Sequence, residues 1–259
     1  MFMEIVIICI AAFLTSILTF FSGFGLGTIL APVFAIFFPI DIAIALTGVV
    51  HFSNNLFKIA LVGRHTDKTV FLRFGIPAIV ASFAGAWMLL KISKMPSLAE
   101  YELWNKHFEI TPVKLSVAVL LIIFAVLEII PSVQKIQFSR NKLPIGGLLS
   151  GFFGGLTGLQ GAIRSAFLIK SGLTKEAYIA TGVAIACVVD ISRLSVYASR
   201  FTSANLQENL SLLISATLAA IIGAIIGNRL LKKVTLRFVQ IIVAVMLIII
   251  SVTLGVGII

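Results

Sequence analysis

Polar and charged positions cut the chain into ten apolar segments, at about 4–22, 26–38, 42–62, 70–90, 113–131, 143–157, 160–170, 176–199, 208–230 and 236–257. A helix needs roughly 20 apolar residues to cross a bilayer, and the pattern predicts a bundle of membrane helices. The segments at 26–38 and 160–170 are short for a full crossing, and each directly follows a glycine cluster. In the first cluster, Gly23-Phe24-Gly25-Leu26-Gly27, with Thr28 and then Pro32, interrupts a nearly continuous apolar run from Ile5 to Ile40. Each of its three glycines lowers helix propensity by roughly 1 kcal/mol relative to Ala. The chain turns or unwinds there. Either the break is a hairpin between two spans, or it is a discontinuous element whose backbone N–H groups face a cavity at membrane depth and can receive an anion. Segments 26–38 and 160–170 are accordingly broken or tilted helices, or the returning arms of re-entrant hairpins, and the sidedness of later loops is the same in each case.

Composition makes the membrane assignment firm. The 259 residues are 59% hydrophobic and 12% charged, and a mean hydropathy of +1.14 leaves too little polar surface to cover a soluble domain. The formal charge of +10 comes from 20 Lys and Arg against 10 Asp and Glu. Such an excess would suggest nucleic acid if it clustered on a soluble module, but it is spread over loops, so no nucleic-acid partner is expected. The first apolar segment lacks a basic leader and a small-residue cleavage site, which marks it as a retained helix. Cys9 and Cys187 sit in apolar runs and read as small buried hydrophobes.

Placing the N-terminus outside puts Arg64, Lys68, Arg73, Lys135, Arg140, Lys142, Lys170, Lys175, Arg229, Lys232, Lys233 and Arg237 inside. Lys91, Lys94, Lys106, Lys114 and Arg200 stay outside, and twelve against five is a positive-inside bias that places both termini outside a cell (inner) membrane. The outer loop near 91–112 carries Glu100, Glu102, Glu109, Tyr101 and Trp104 and is expected to be a short interfacial excursion. Three basic residues remain within spans: Lys58, Arg164 and Arg193.

Sliding the chain by 135 positions lays Gly23–Gly27 on Gly158-Leu159-Gln160-Gly161-Ala162, Asp41 on Glu176, Asn55 on Asp190 and Lys58 on Arg193. The order of features repeats: glycine break, short apolar segment, acidic helix start, long span, basic residue. With five segments per half, the copies insert with opposite orientation. The expected fold is an all-α polytopic membrane protein of two inverted-topology repeats, 1–131 and 132–259, with glycine-broken or re-entrant helices meeting near the midplane.

The stretch Ser22-Gly23-Phe24-Gly25-Leu26-Gly27-Thr28 through Pro32, with Gly151-Phe152-Phe153-Gly154-Gly155-Leu156-Thr157-Gly158 and Gly161, resembles the TauE/SafE family of sulfite and organosulfonate exporters over nearly the whole chain. The resemblance implies a multi-pass protein that moves sulfite, sulfoacetate or related anions across the bacterial inner membrane. Gln160 and Ala162 stand where glycines are more common in that family, with Arg164 just beyond.

An intramembrane charge costs at least ~2.5 kcal/mol on insertion scales and is expected to face a cavity or a partner. Arg164 could grip a sulfonate with two parallel N–H bonds, or snorkel or pair with an acid. Lys58 and Arg193 hold matching places in the two halves and could serve as successive anion contacts. For Lys58 the alternative is snorkelling; for Arg193 it is an i, i+3 ion pair with Asp190. Asn54 and Asn55 offer donors or helix-helix glue. Gly25, Gly27, Gln160, Gly161 and Ser165, at the two breaks, complete the candidate substrate-binding set. His51 belongs to that substrate-binding set too, and with Asp190 it is also a candidate for proton coupling. Asp41 and Glu176 begin helices and complement their dipoles. No hydrolase, Walker or metalloprotease motif occurs, and the reading includes no enzyme, cofactor or metal. A secondary transporter in the lipid bilayer leads, with a second copy of the chain, in a homo-oligomer, as a candidate partner. An anion channel and a non-transporting assembly or sensor protein are the alternatives.

Overall fold

The computed structural model describes residues 2–19, 26–130, 138–203, 209–230 and 236–259. Gly25 of the candidate site, with Gly23 and Phe24, lies outside the described residues, as do Lys135, Lys232 and Lys233 of the basic loops. Ten α-helices are present among the described residues: α1 (Phe2–Thr19), α2 (Leu26–Ala35), α3 (Ile40–Val62), α4 (Lys68–Ile92), α5 (Pro112–Ile129), α6 (Leu143–Thr157), α7 (Gly161–Leu168), α8 (Lys175–Ser203), α9 (Leu210–Leu230) and α10 (Leu236–Gly255). Four helical stretches, Ile40–His65, Lys68–Ile92, Lys175–Ala198 and Leu210–Gly227, are long and apolar enough to cross a membrane, and Met3–Ile17, Pro112–Leu127 and Ala244–Gly255 are shorter apolar helices. This is an all-α polytopic membrane protein.

Local chemistry sets several of the ends. Asp67 caps α4 by accepting from the Val70 amide at 2.8 Å, and Thr111 caps α5 with Pro112 in its first turn. Asp41 and Glu176 stand in the first turns of α3 and α8. The outer loop holds more order than an interfacial excursion. Ala99–Leu103 (β1) and Lys106–Ile110 (β2) form an antiparallel hairpin. Trp104 and Asn105 take the left-handed conformations (φ 51° and 57°) that a two-residue turn of this hand requires. Tyr101 stacks on Phe108 with ring centroids 5.4 Å apart and donates its hydroxyl to the Val256 carbonyl at 2.5 Å, which ties the hairpin to the end of α10.

Helix α4 runs parallel to α6 along a glycine seam. A methyl group on Gly147, Gly151 or Gly155 would fall 2.2, 2.1 and 2.2 Å from the carbonyl oxygens of Phe74, Ala78 and Ser82 respectively, so the two backbones touch. The same arrangement joins α1 and α9, where Gly223 and Gly227 face the carbonyls of Phe13 and Ile17. Further, α3 packs on α8, α5 on α10, α4 on α8 as α9 on α3, and α1 on α2 as α6 on α7. Exchanging α1–α5 with α6–α10 maps these particular pairings onto themselves.

The seams also decide how the short helices run. The start of α6 and the end of α7 return to one level, since a methyl on Gly146 would strike the Phe167 ring at 2.4 Å, Phe138 stacks on Phe167, and the Phe138 amide donates to the Ala166 carbonyl. Helices α6 and α7 are the arms of a re-entrant hairpin opening on the face of Gly63–Lys68, because the Asp67 amide donates to Thr181 early in α8. We call this the basic face. Helix α2 ends on the opposite face, where Ala35–Ile40 line a cavity of about 270 Å³ with Lys114 and Ile259. Helix α10 also ends there, antiparallel to α5, with Gly255 against Ala118. Helix α9 therefore starts on this hairpin face, and α1, parallel to it, starts there too. Helices α1 and α2 thus enter from the hairpin face, and α6 and α7 from the basic face.

Candidate functional site

The start of α2, at Gly27, and the end of α6, at Gly158, meet inside the bundle. A methyl on Gly27, early in α2, would lie 3.6 Å from the Gly158 carbonyl oxygen, 3.8 Å from Thr47 Cγ2 and 4.0 Å from His51 Cδ2. Gly158 ends α6 in the left-handed region (φ 84°), which a residue with a Cβ adopts at a cost. Its own methyl would fall 2.9 Å from Arg193 Nη1. Gly27 and Gly158 therefore face each other, with α3 and α8 crossing behind them.

The polar residues of that crossing converge on one carboxylate. Asp190 Oδ2 lies 2.6 Å from His51 Nδ1 and accepts from Asn55 Nδ2 at 3.4 Å. Asp190 Oδ1 accepts from Arg193 Nε at 2.9 Å and from Gln160 Nε2 at 3.5 Å, with Arg193 Nη2 2.8 Å away. Gln160 in turn accepts through Oε1 from Arg164 Nη1 at 3.1 Å, and its backbone carbonyl accepts from Ser150. Asp190 and Arg193 are both fully buried, so the i, i+3 ion pair foreseen between them is present and holds a charge that burial would otherwise make costly. Asn55 and Asp190, which coincide when the chain is slid by 135, touch each other.

Helical periodicity explains why these residues can meet. On α3, Thr47, His51, Asn54 and Lys58 fall at i, i+4, i+7 and i+11, one stripe along the helix. On α8, Ala186, Asp190, Arg193 and Tyr197 form the matching stripe. The α3 stripe is buried at Thr47, His51 and Asn54 and becomes half-exposed at Lys58, towards the basic face. Arg164 and Ser165 on α7 are half-exposed as well. Lys58 and Arg164 lie within electrostatic range of each other, and Gly182 makes room beside the Arg164 guanidinium. Towards the hairpin face the core closes over apolar side chains: Ile29, Leu30, Phe34, Ile44 and Leu46 are at most 1% exposed.

The structure thus gathers His51, Asn55, Gln160, Asp190 and Arg193 into one network and attaches Arg164 to its edge. Gly27 and Gly161 lie at the starts of α2 and α7, and Lys58 and Asn54 continue the α3 stripe. Ser165 shares α7 with Arg164, but its hydroxyl makes no hydrogen bond to the cluster among the described residues. Of the two basic residues that coincide when the chain is slid by 135, Arg193 is fully buried beside Gly158 and Lys58 is partly exposed. Three participants escaped the sequence reading: Thr47, Ser150 and Tyr197, whose hydroxyl donates to the Gly155 carbonyl. Tyr197 stands four residues beyond Arg193, and that spacing was a usable signal.

Outside the bundle, Glu100, His107 and Glu109 of the hairpin bring three ligand-type atoms within 4.8 Å of one another, all exposed.

In a comparison with known families, the model described as Sulfite exporter TauE/SafE matches residues 8–254. No curated protein and no solved structure matches the chain.

Proposed function

The chain belongs to the sulfite exporter TauE/SafE family, a family of membrane transporters, and from that membership and the buried charge cluster we propose that it exports a small sulfur oxyanion. Sulfite, sulfoacetate or a related organosulfonate is the substrate class, and alternating access between two inverted repeats, 1–131 and 132–259, is the mechanism. The observation that carries this reading is the charge balance beside the contact of Gly27 with Gly158. Arg193 and Arg164 bring two guanidinium groups to a network that, among the described residues, contains one carboxylate, Asp190. A bundle interior of that kind favours an anion, and buried guanidinium groups suit the geometry of sulfonate oxygens.

Unequal exposure supports alternating access. The path is open around Lys58 and Arg164 and closed over Ile29, Leu30 and Phe34, the pattern of a conformation open to one side. Exchanging the roles of two symmetry-related hairpins would open the other side. The positive-inside bias puts the basic face in the cytoplasm and both termini outside the inner membrane. A membrane potential negative inside then favours outward movement of an anion by about 2.3 kcal/mol per charge per 100 mV. His51, held against Asp190, is the group that would link a proton to the cycle. The apolar closure on the hairpin face weighs against a continuously open anion channel.

Purified protein in liposomes tests the reading. The expected result is saturable, exchangeable flux of sulfite or sulfoacetate and weak recognition of taurine. High unitary conductance would establish a channel instead, and no flux of any sulfur oxyanion would leave an assembly or sensor role.

A further inference from the structure

Several fully buried polar groups near the crossing of α3 and α8 have nothing to bond. Thr47 Oγ1, both amide atoms of Asn54 and Arg193 Nη1 have no hydrogen-bond partner among the described residues. Thr47 is 1% exposed and Asn54 and Arg193 are fully buried. Leaving a buried polar group unsatisfied costs free energy, and natural proteins keep few such groups without a reason. Thr47 is notable because a helical threonine ordinarily has its own backbone carbonyl one turn back as an acceptor. Arg193 commits Nε to Asp190 and leaves Nη1 turned to Gly158. Thr47 and Asn54 share one stripe of α3, and Thr47 Cγ2 approaches the same Gly27 and Gly158 contact. The free groups are mostly donors, namely a guanidinium nitrogen, a hydroxyl and an amide NH2, with the Asn54 carbonyl as the one pure acceptor.

We propose that Thr47 and Arg193 Nη1 at the Gly27 and Gly158 contact, and Asn54 about 10 Å further along the α3 stripe, are successive binding contacts for the transported oxyanion, and that the uncharged Thr47 and Asn54 determine specificity. This rests on the transporter reading above and names the groups that distinguish ligands within it. Arg193 is already paired with Asp190, so charge alone gives these contacts little selectivity. Oxygens on the ligand satisfy the hydroxyl and amide donors, and a halide of equal charge offers no set of separate acceptors to match them. An oxyanion carrying a hydroxyl or proton also meets the Asn54 carbonyl.

The test uses the full chain in detergent, with sulfite and chloride as probes, and two variants of nearly unchanged volume. Thr47→Val and Asn54→Leu each remove the polar atoms and keep the packing. Ligand-free thermal unfolding of both is expected at or above that of the wild type, because an unsatisfied buried group is lost. Sulfite affinity is expected to fall about tenfold or more in each, with Thr47→Ser restoring most of it and the weak chloride response unchanged. Variants that are less stable without ligand would show that these groups already have partners, and unchanged sulfite affinity in both would show that they do not touch the ligand. Either result overturns the proposal. A wild-type protein that binds no sulfur oxyanion would instead sink the transporter reading, so the two failures are distinguishable.

Discussion

Replacing Asp190 by Asn is the most informative single perturbation of the network. The carboxylate is fully buried and neutralises Arg193, which is fully buried too, through contacts of 2.8 and 2.9 Å. The substitution keeps size and shape but leaves the guanidinium as an uncompensated charge in a low-dielectric interior. Breaking a buried pair in this way costs about 3–5 kcal/mol, whereas removing both charges together is often close to neutral. Asp190→Asn is therefore expected to lose about 3–5 kcal/mol, while Asp190→Asn with Arg193→Gln recovers most of that loss. The difference, a coupling of about 2 kcal/mol or more, is measured by a double-mutant cycle of equilibrium unfolding in mixed micelles. A coupling below about 0.5 kcal/mol would refute the argument, because the pair would then be screened by water and the region would not be a dry core.

Other outcomes follow from particular contacts. Arg164→Gln, at the open edge of the network, is expected to weaken sulfite binding about tenfold with the protein still extractable and monodisperse; unchanged binding in a titration would remove Arg164 from the path. Gly151→Val pushes into the Ala78 carbonyl at the α4 and α6 seam, 2.1 Å from a first methyl, and is expected to abolish monodisperse protein in size-exclusion chromatography. Gly172→Ala, with φ 76° and nothing within 4 Å, is expected to cost only about 1–2 kcal/mol in unfolding. His51→Asn is expected to make sulfite flux in liposomes insensitive to an imposed pH gradient, and equal sensitivity to the wild type would exclude His51 as the proton carrier.

Much of the architecture was legible in one dimension because the membrane imposes simple rules. All ten apolar segments are helices, and several ends agree to within two residues, such as Leu143–Thr157 for the segment at 143–157. Hydrocarbon forces each segment to satisfy its own backbone, so apolar length alone reports a helix. The β-hairpin was missed because its signal is local and polar: Glu100, Glu102, His107 and Glu109 alternate with Tyr101, Leu103 and Phe108 around a two-residue turn. In a loop already assigned to the interface that alternation carried little weight beside the hydropathy pattern.

At the site, residue types were readable and partners were not. Lys58, Arg164 and Arg193 stood out because an ionisable group within a span is costly enough to be rare. Thr47 did not, since a threonine in an apolar helix is unremarkable until its hydroxyl is found without an acceptor.

The sequence by itself determined the helices, the two glycine clusters and the inventory of intramembrane charges, all of which depend on short-range hydropathy and on internal spacing. Only the tertiary structure decided that α7 is the returning arm of a re-entrant hairpin and that Gly27 meets Gly158. It alone placed Asp190 between His51 and Arg193, and among the described residues it alone left Thr47 and Asn54 unpaired. The contacts of Gly27 with Gly158 and of His51 with Asp190 join residues more than a hundred positions apart, and no local rule of propensity or burial specifies which side chain will lie opposite which.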